Sequence, residues 1–369
     1  MTTTSKWILG VVVLAVIVWI GMSMGDKAPE TKPIIKIGAT LPLTGNVAML
    51  GESAQQALLL AQEQISEKTK YQYELVVEDD QFKPAMGATT ANKLISIDGV
   101  SAVLSFGSPV GNAVSPITEA AKVPHINFFA SDMHVADGDY NFVHYTPPYE
   151  DSRVFISELG KRGIKSIVFF AQYDNPGVGA IIEAFETDIV GTDIEVLSTQ
   201  KFTTGTRDFR TLITSVKGLN PDIYVLEATS PELETLTTQL REAGVQTPVT
   251  TMEAFEFSDQ LGLFEGMWYV NAADPQDWFV DLFTEKYAVA PKFGAANGYD
   301  AVHLIVQAVE KAGDGKIVPS PEEIRNALAQ IKGFDGALGD NLDIDENGIV
   351  VSGAVVRVIE NGAPVTVGE

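Results

Sequence analysis

The sequence predicts an α/β protein of two doubly wound lobes, preceded by an N-terminal apolar helix. Three observations carry that reading. Short apolar runs alternate with longer amphipathic stretches through most of the 369 residues, the pattern of strands joined by crossover helices in parallel sheets. These units outnumber what one sheet holds comfortably, and the chain exceeds the size at which a single hydrophobic core keeps growing. The first 25 residues differ in kind from everything after them.

From Trp7 to Met24 the chain is almost wholly apolar, and no charge follows Lys6 until Asp26. About 18 such residues make roughly 27 Å of helix, close to the hydrocarbon thickness of a bilayer. Trp7 and Trp19 lie near its ends, where indole rings favour the interface. Residues 1–25 read either as a signal peptide, with Ser23-Met24-Gly25 as a small-x-small site, or as an uncleaved membrane anchor over 7–24. The length of the run favours the anchor. Both readings place the remainder outside the cytoplasm, in a periplasm or at a cell surface. Residues 26–33 (DKAPETKP) carry two prolines and no periodicity, which reads as a linker.

The folded body then alternates. A strand over 34–41 precedes a helix over 52–66, with apolar residues at 54, 57, 58, 61 and 65. A strand over 73–78 is followed by a helix over 84–97 that opens with Pro84, where a missing N–H does no harm. Strands over 100–106 and 124–129 flank a helix near 110–121. The same alternation gives strands at 166–171, 194–198 and 222–227, and helices at 178–189, 209–216 and 231–243. A helical block covers 278–287, 295–312 and 321–331. One strand over 349–359 and another over 364–367 surround the hairpin signal Asn361-Gly362.

Composition removes several function classes. Lys plus Arg number 25 against 49 Asp plus Glu, a net charge of −24 that repels nucleic-acid phosphates. The absence of cysteine excludes disulfides, thiol nucleophiles and the lipid-modified cysteine of many exported proteins. No phosphate-loop motif occurs, and Gly177-Val178-Gly179 lacks the third glycine of a dinucleotide fingerprint. His125, His134, His144 and His303 show no metal spacing. Residues 343–348 match the front of a calcium loop, but Ala354 stands where the bidentate Glu belongs. Neither a metal, a cofactor nor a catalytic constellation is expected.

Ile35-Lys36-Ile37-Gly38, Pro42-Leu43-Thr44-Gly45, and Glu74-Leu75-Val76-Val77-Glu78-Asp79-Asp80 come in that order. They are followed by Gly107-Ser108, Val123-Pro124-His125-Ile126, Gly205-Thr206-Arg207-Asp208-Phe209, Gly298-Tyr299-Asp300 and Gly333-Phe334-Asp335-Gly336. Together they resemble the branched-chain amino-acid-binding proteins of ABC transporters, a family of type I periplasmic binding proteins, across about 330 residues. The resemblance implies two α/β lobes joined by a three-strand hinge, lobe one being 34–148 plus 275–338 and lobe two 149–274 plus 339–369. It implies a small-molecule ligand held in the cleft, an ABC permease as partner, and no catalysis. Carried over by position, Ser108, the backbone of Phe129, and Ser131 meet the ligand's carboxylate. Glu253 meets its ammonium, and Glu256 is left as solvated surface. Ser108 reads equally as a helix N-cap. The sequence departs from the family at Leu50, Pro176 and Thr229-Ser230, where aromatic walls are usual, and Tyr173 is the candidate replacement for one of them. A ligand sensor acting through a partner subunit, and an enzyme on the same scaffold, are the alternative readings.

Overall fold

A computed structural model describes residues 32–65 and 68–368, and the apolar segment over 7–24 lies outside them. Among the described residues no helix is long and apolar enough to cross a membrane.

The first lobe is built from β1 (Ile34–Leu41), α1 (Ala48–Gln64), β2 (Gln72–Asp79), α2 (Pro84–Lys93), β3 (Ala102–Ser105), α3 (Ser108–Ala121), β4 (His125–Asn127) and β5 (Asn141–Tyr145). The chain then crosses into α4 (Pro148–Lys161), β6 (Ser166–Gln172), α5 (Pro176–Asp188), β7 (Glu195–Phe202), α6 (Arg210–Lys217), β8 (Ile223–Glu227), α7 (Glu232–Glu242), β9 (Val249–Thr250) and β10 (Trp268–Ala272). It returns to lobe one for α8 (Asp277–Tyr287), α9 (Ala295–Ala312), α10 (Pro321–Leu328), the small hairpin β11 (Phe334–Gly336) and β12 (Gly339–Leu342), and β13 (Ile349–Val351). The last crossing leads to β14 (Ala354–Glu360) and β15 (Ala363–Thr366).

Lobe one centres on a six-stranded sheet in the order β13-β5-β4-β3-β1-β2, with every pair parallel. Its core joins Ile37, Leu58, Leu104 and Leu304 from the sheet and the flanking helices α1 and α9, with Phe128 from the loop after β4. Such side chains each contribute about 1.5–3 kcal/mol on burial. Lobe two carries β7-β6-β8-β9, also parallel, and a bridge from Met252 to Val270 continues it into the antiparallel β10-β14-β15. The hairpin at Asn361-Gly362 forms as expected, pairing Glu360 with Ala363.

Three crossings, at 145–148, 272–277 and 351–354, therefore join the lobes. The third lies further along the chain than the expected boundary at 339. β12 pairs with β11, and β13 pairs in parallel with β5, so these strands lie with lobe one. The apolar run expected as a single strand over 349–359 is two strands in two sheets, divided at Ser352-Gly353.

Candidate functional site

The carboxyl ends of parallel strands face the gap between the lobes, the usual place for a ligand in open α/β sheets. Five loops at these strand ends contribute to one small cavity. They supply Gly107, Ser108 and Pro109; Phe129 and Ser131; Asn175 and Gly177; Glu227 and Thr229; and Met252, Glu253 and Phe257. Phe82, from the turn after β2, completes the wall. Ser108, Phe129, Ser131 and Glu253 thus meet in one place. Tyr173 does not: it is 57% exposed and stands apart from this lining. Phe82, Phe129 and Phe257 form the aromatic wall instead. Phe129 stacks on Phe106 at 4.1 Å and takes Phe257, from the other lobe, edge-on at 5.7 Å.

Ser108 is not the N-cap of α3. Gly107 occupies that position with φ of 82°, and a side chain there would strike the Phe82 ring. The Ser108 hydroxyl instead accepts from the backbone N–H of Asp132 at 3.1 Å. The backbone N–H of Phe129 donates to Asn127 Oδ1 at 2.9 Å. Ser131 Oγ donates across the cleft to Glu253 Oε2 at 2.8 Å, tying the lobes together. Gly177, beside the N-terminus of α5, comes so close to Ser108 that an added Cβ would lie 2.9 Å from the hydroxyl oxygen.

The lobes are therefore closed on each other. The cavity holds about 30 Å³, room for one or two waters. Ordinary ligand sites hold roughly 300 Å³ or more, so a solute enters only if the lobes part. A wider opening of about 1030 Å³, bordered by both lobes, meets the cavity at Ser131. Asp132, Asp137, Asp139, Glu183, Asp345 and Glu346 border it against Arg325, a negative approach path for cations. Asp345 Oδ1 accepts the N–H groups of Asn347 and Ile349, so it shapes the turn before β13.

The cavity's charged groups are all acids. Glu227 and Glu253 line it, and no Lys, Arg or His does. Glu253 is buried with φ of 72°, a left-handed conformation that costs a non-glycine residue about 1–3 kcal/mol and concentrates at functional sites. Its backbone N–H holds that turn by donating to Val270 O at 2.7 Å. Burial pushes the Glu253 carboxyl up to about 7, against the opposing hydrogen bond of Ser131 and the nearby Asp151 and Tyr145. Glu227 accepts from the Met252 N–H at 2.8 Å and the Thr251 hydroxyl, and burial still drives its titration well above the usual carboxylate range.

Behind Glu253 lie two groups that sequence reasoning missed. Asp151, in the first turn of α4, and Tyr145, at the end of β5, are both fully buried. Glu256 is also buried, contrary to the solvated surface expected of it. It accepts from Arg357 Nη1, Tyr269 Oη and Asn271 Nδ2, while Arg357 also reaches Asp274.

A closable cleft between two α/β lobes, with hydroxyls from one side converging on a carboxylate from the other, defines a bilobal receptor for small solutes. The chain belongs to the periplasmic binding protein family, whose profile matches residues 34–363, and its role is solute binding outside the cytoplasm. It is 26% identical to the leucine-, isoleucine-, valine-, threonine- and alanine-binding protein of Pseudomonas aeruginosa, over 89% of each chain. It is 23% identical to a Leu/Ile/Val-binding protein homologue of Brucella abortus, over 82% of this chain and 79% of that one. Among solved structures, the leucine-binding protein LivK of Thermotoga maritima superposes with a TM-score of 0.82 at 23% identity, covering 90% of this chain and 98% of its own. A benzoate-bound solute-binding protein of an ABC transporter from Rhodopseudomonas palustris superposes with a TM-score of 0.79 at 19% identity, covering 91% and 96%. These structures share the fold; their ligands differ.

Proposed function

We propose that the protein captures a small ligand bearing a protonated amine, an amino acid or related compound, and passes it unchanged to an ABC permease. The observation that carries this reading is the sign of the cleft. Its lining holds two buried carboxyl groups and no base, so it complements a cation and opposes a ligand that is only an anion. Ser108 and Ser131 on lobe one remain the groups for the ligand's carboxylate, and Glu253 on lobe two the group for its ammonium. Clamping both ends between lobes couples binding to closure. The aromatic acid of the Rhodopseudomonas relative has no counter-cation here. Residues 7–24 tether the protein to the membrane in this reading, and the linker over 26–33 gives the lobes room above it.

The test is small-molecule mass spectrometry on ligand released from purified protein. It is followed by thermal-shift titration with L-leucine, L-isoleucine, L-valine, L-threonine, L-alanine and benzoate. An amine-bearing compound should be released, and at least one amino acid should stabilise the protein while benzoate does not. Stabilisation by benzoate alone would overturn the reading.

A further inference from the structure

The carboxyl group of Asp151 is fully buried, and neither of its oxygens meets a hydrogen-bond donor. Glu253 Oε1 is in the same condition, as are the Tyr145 and Ser152 hydroxyls beside them. Asp151 and Glu253 lie within hydrogen-bonding reach of each other, and the Tyr145 hydroxyl lies near Glu253 without bonding it. The charged groups that face Asp151 from the surrounding elements are Glu253, Glu227 and its neighbour Glu150, all acids. The buried cation of this lobe, Arg357, is committed to Glu256 and Asp274, and His144, next to Tyr145, pairs with Asp300. Two touching carboxylates without a cation repel strongly, whereas one proton between them turns two orphaned acceptors into one hydrogen bond.

We propose that Asp151 is a positioning residue for the ligand's amine: a protonated acid at neutral pH that donates to Glu253 Oε1 and holds the pair at a single negative charge. The proposal rests on the amine reading above. Burial drives the Asp151 carboxyl well above its ordinary range, with Glu253 beside it adding to the effect, which agrees with a retained proton.

Two measurements test this. Infrared spectra of the ligand-free protein at about pH 8, where exposed carboxyls are ionised, should contain a protonated-carboxyl carbonyl band. That band should lose intensity in Asp151→Asn, where buried Glu227 is the carboxyl left to supply it, and an unchanged band would overturn the proposal. Its absence from wild type overturns the proposal whether or not any amino acid binds. The second measurement is calorimetric titration with the amino acid that gives the largest thermal shift. Asp151→Asn keeps a neutral donor and the pair's charge, so it should bind close to wild type. Asp151→Ala removes the donor and should lose roughly 10- to 100-fold, the size of one hydrogen bond to a charged group. If Asp151→Asn loses as much as Asp151→Ala, Asp151 acts as a second carboxylate and the proposal fails, while the amine reading stands.

Discussion

Glu253 and Glu256 are three residues apart, both buried, and in opposite circumstances. Glu256 has Arg357, a tyrosine hydroxyl and an amide, and its charge is answered inside the protein. Glu253 has the Ser131 hydroxyl, an oxygen with no donor, and a strained backbone. A buried carboxylate with a built-in cation is structure. One without a cation, aimed into a cleft, is a demand for something from outside. The difference between binding and folding residues thus lies in the partners, since burial is the same for both.

The largest effect should fall on the structural side. Arg357→Met removes the cation and leaves Glu256 buried and uncompensated, which costs about 3–5 kcal/mol. Denaturant unfolding should show that loss. A stability within error of wild type would erase the contrast between the two glutamates.

Glu253→Gln should do the reverse, sparing the fold and disabling the site. Truncating one side of a buried charge pair costs roughly 2–5 kcal/mol in binding, about 30- to several-thousand-fold. Calorimetry with an amino acid that stabilises wild type checks it.

The same substitution should stabilise the unliganded protein, and pH sharpens that test. A carboxyl raised from 4.5 to about 7 binds more protons folded than unfolded. Stability therefore falls as pH rises through that window, and the penalty is complete above it. At 1.4 kcal/mol per unit, Glu253→Gln should gain on the order of 3 kcal/mol over wild type at about pH 8, shrinking to nothing below about pH 4.5. A gain that does not vary with pH would mean that the carboxyl is not the cause.

The smallest effect concerns closure. Gly177→Ala puts a methyl against Ser108 where the lobes meet, and overpacking of this kind costs about 1–3 kcal/mol. Small-angle scattering with saturating ligand should find a larger radius for Gly177→Ala than for wild type. Equal radii would show that the lobes do not meet there on closing.

Much of this was legible in the sequence, because alternating strands and helices are local patterns. Glu253 was legible through the family resemblance, carried over position by position, and not through a local pattern of its own. β5, α4 and β10 were not read as elements. In the stretch that leads into α4, the prolines at 147 and 148 and the acids at 150 and 151 obscure the periodicity, although proline and acids suit a helix start. Glu256 could not be read correctly, since its cation is 101 residues away. The break between β13 and β14 hides inside one apolar run, because each half is buried against a different lobe. Phe82 enters the site through a backbone of φ 58°, which its residue type does not announce. Tyr173 had the chemistry of an aromatic wall without the position.

The central claim is that the acidic cleft floor waits for an amine, and one comparison on wild-type protein tests it most directly. Take the amino acid that binds and its deaminated analogue, the same skeleton with hydrogen in place of the amine, and titrate both by calorimetry. The amino acid should bind at least about 30-fold more tightly, the lower bound for removing one partner of a buried charge pair. Equal affinities would contradict the account, because Glu253 would then have no part in holding the ligand.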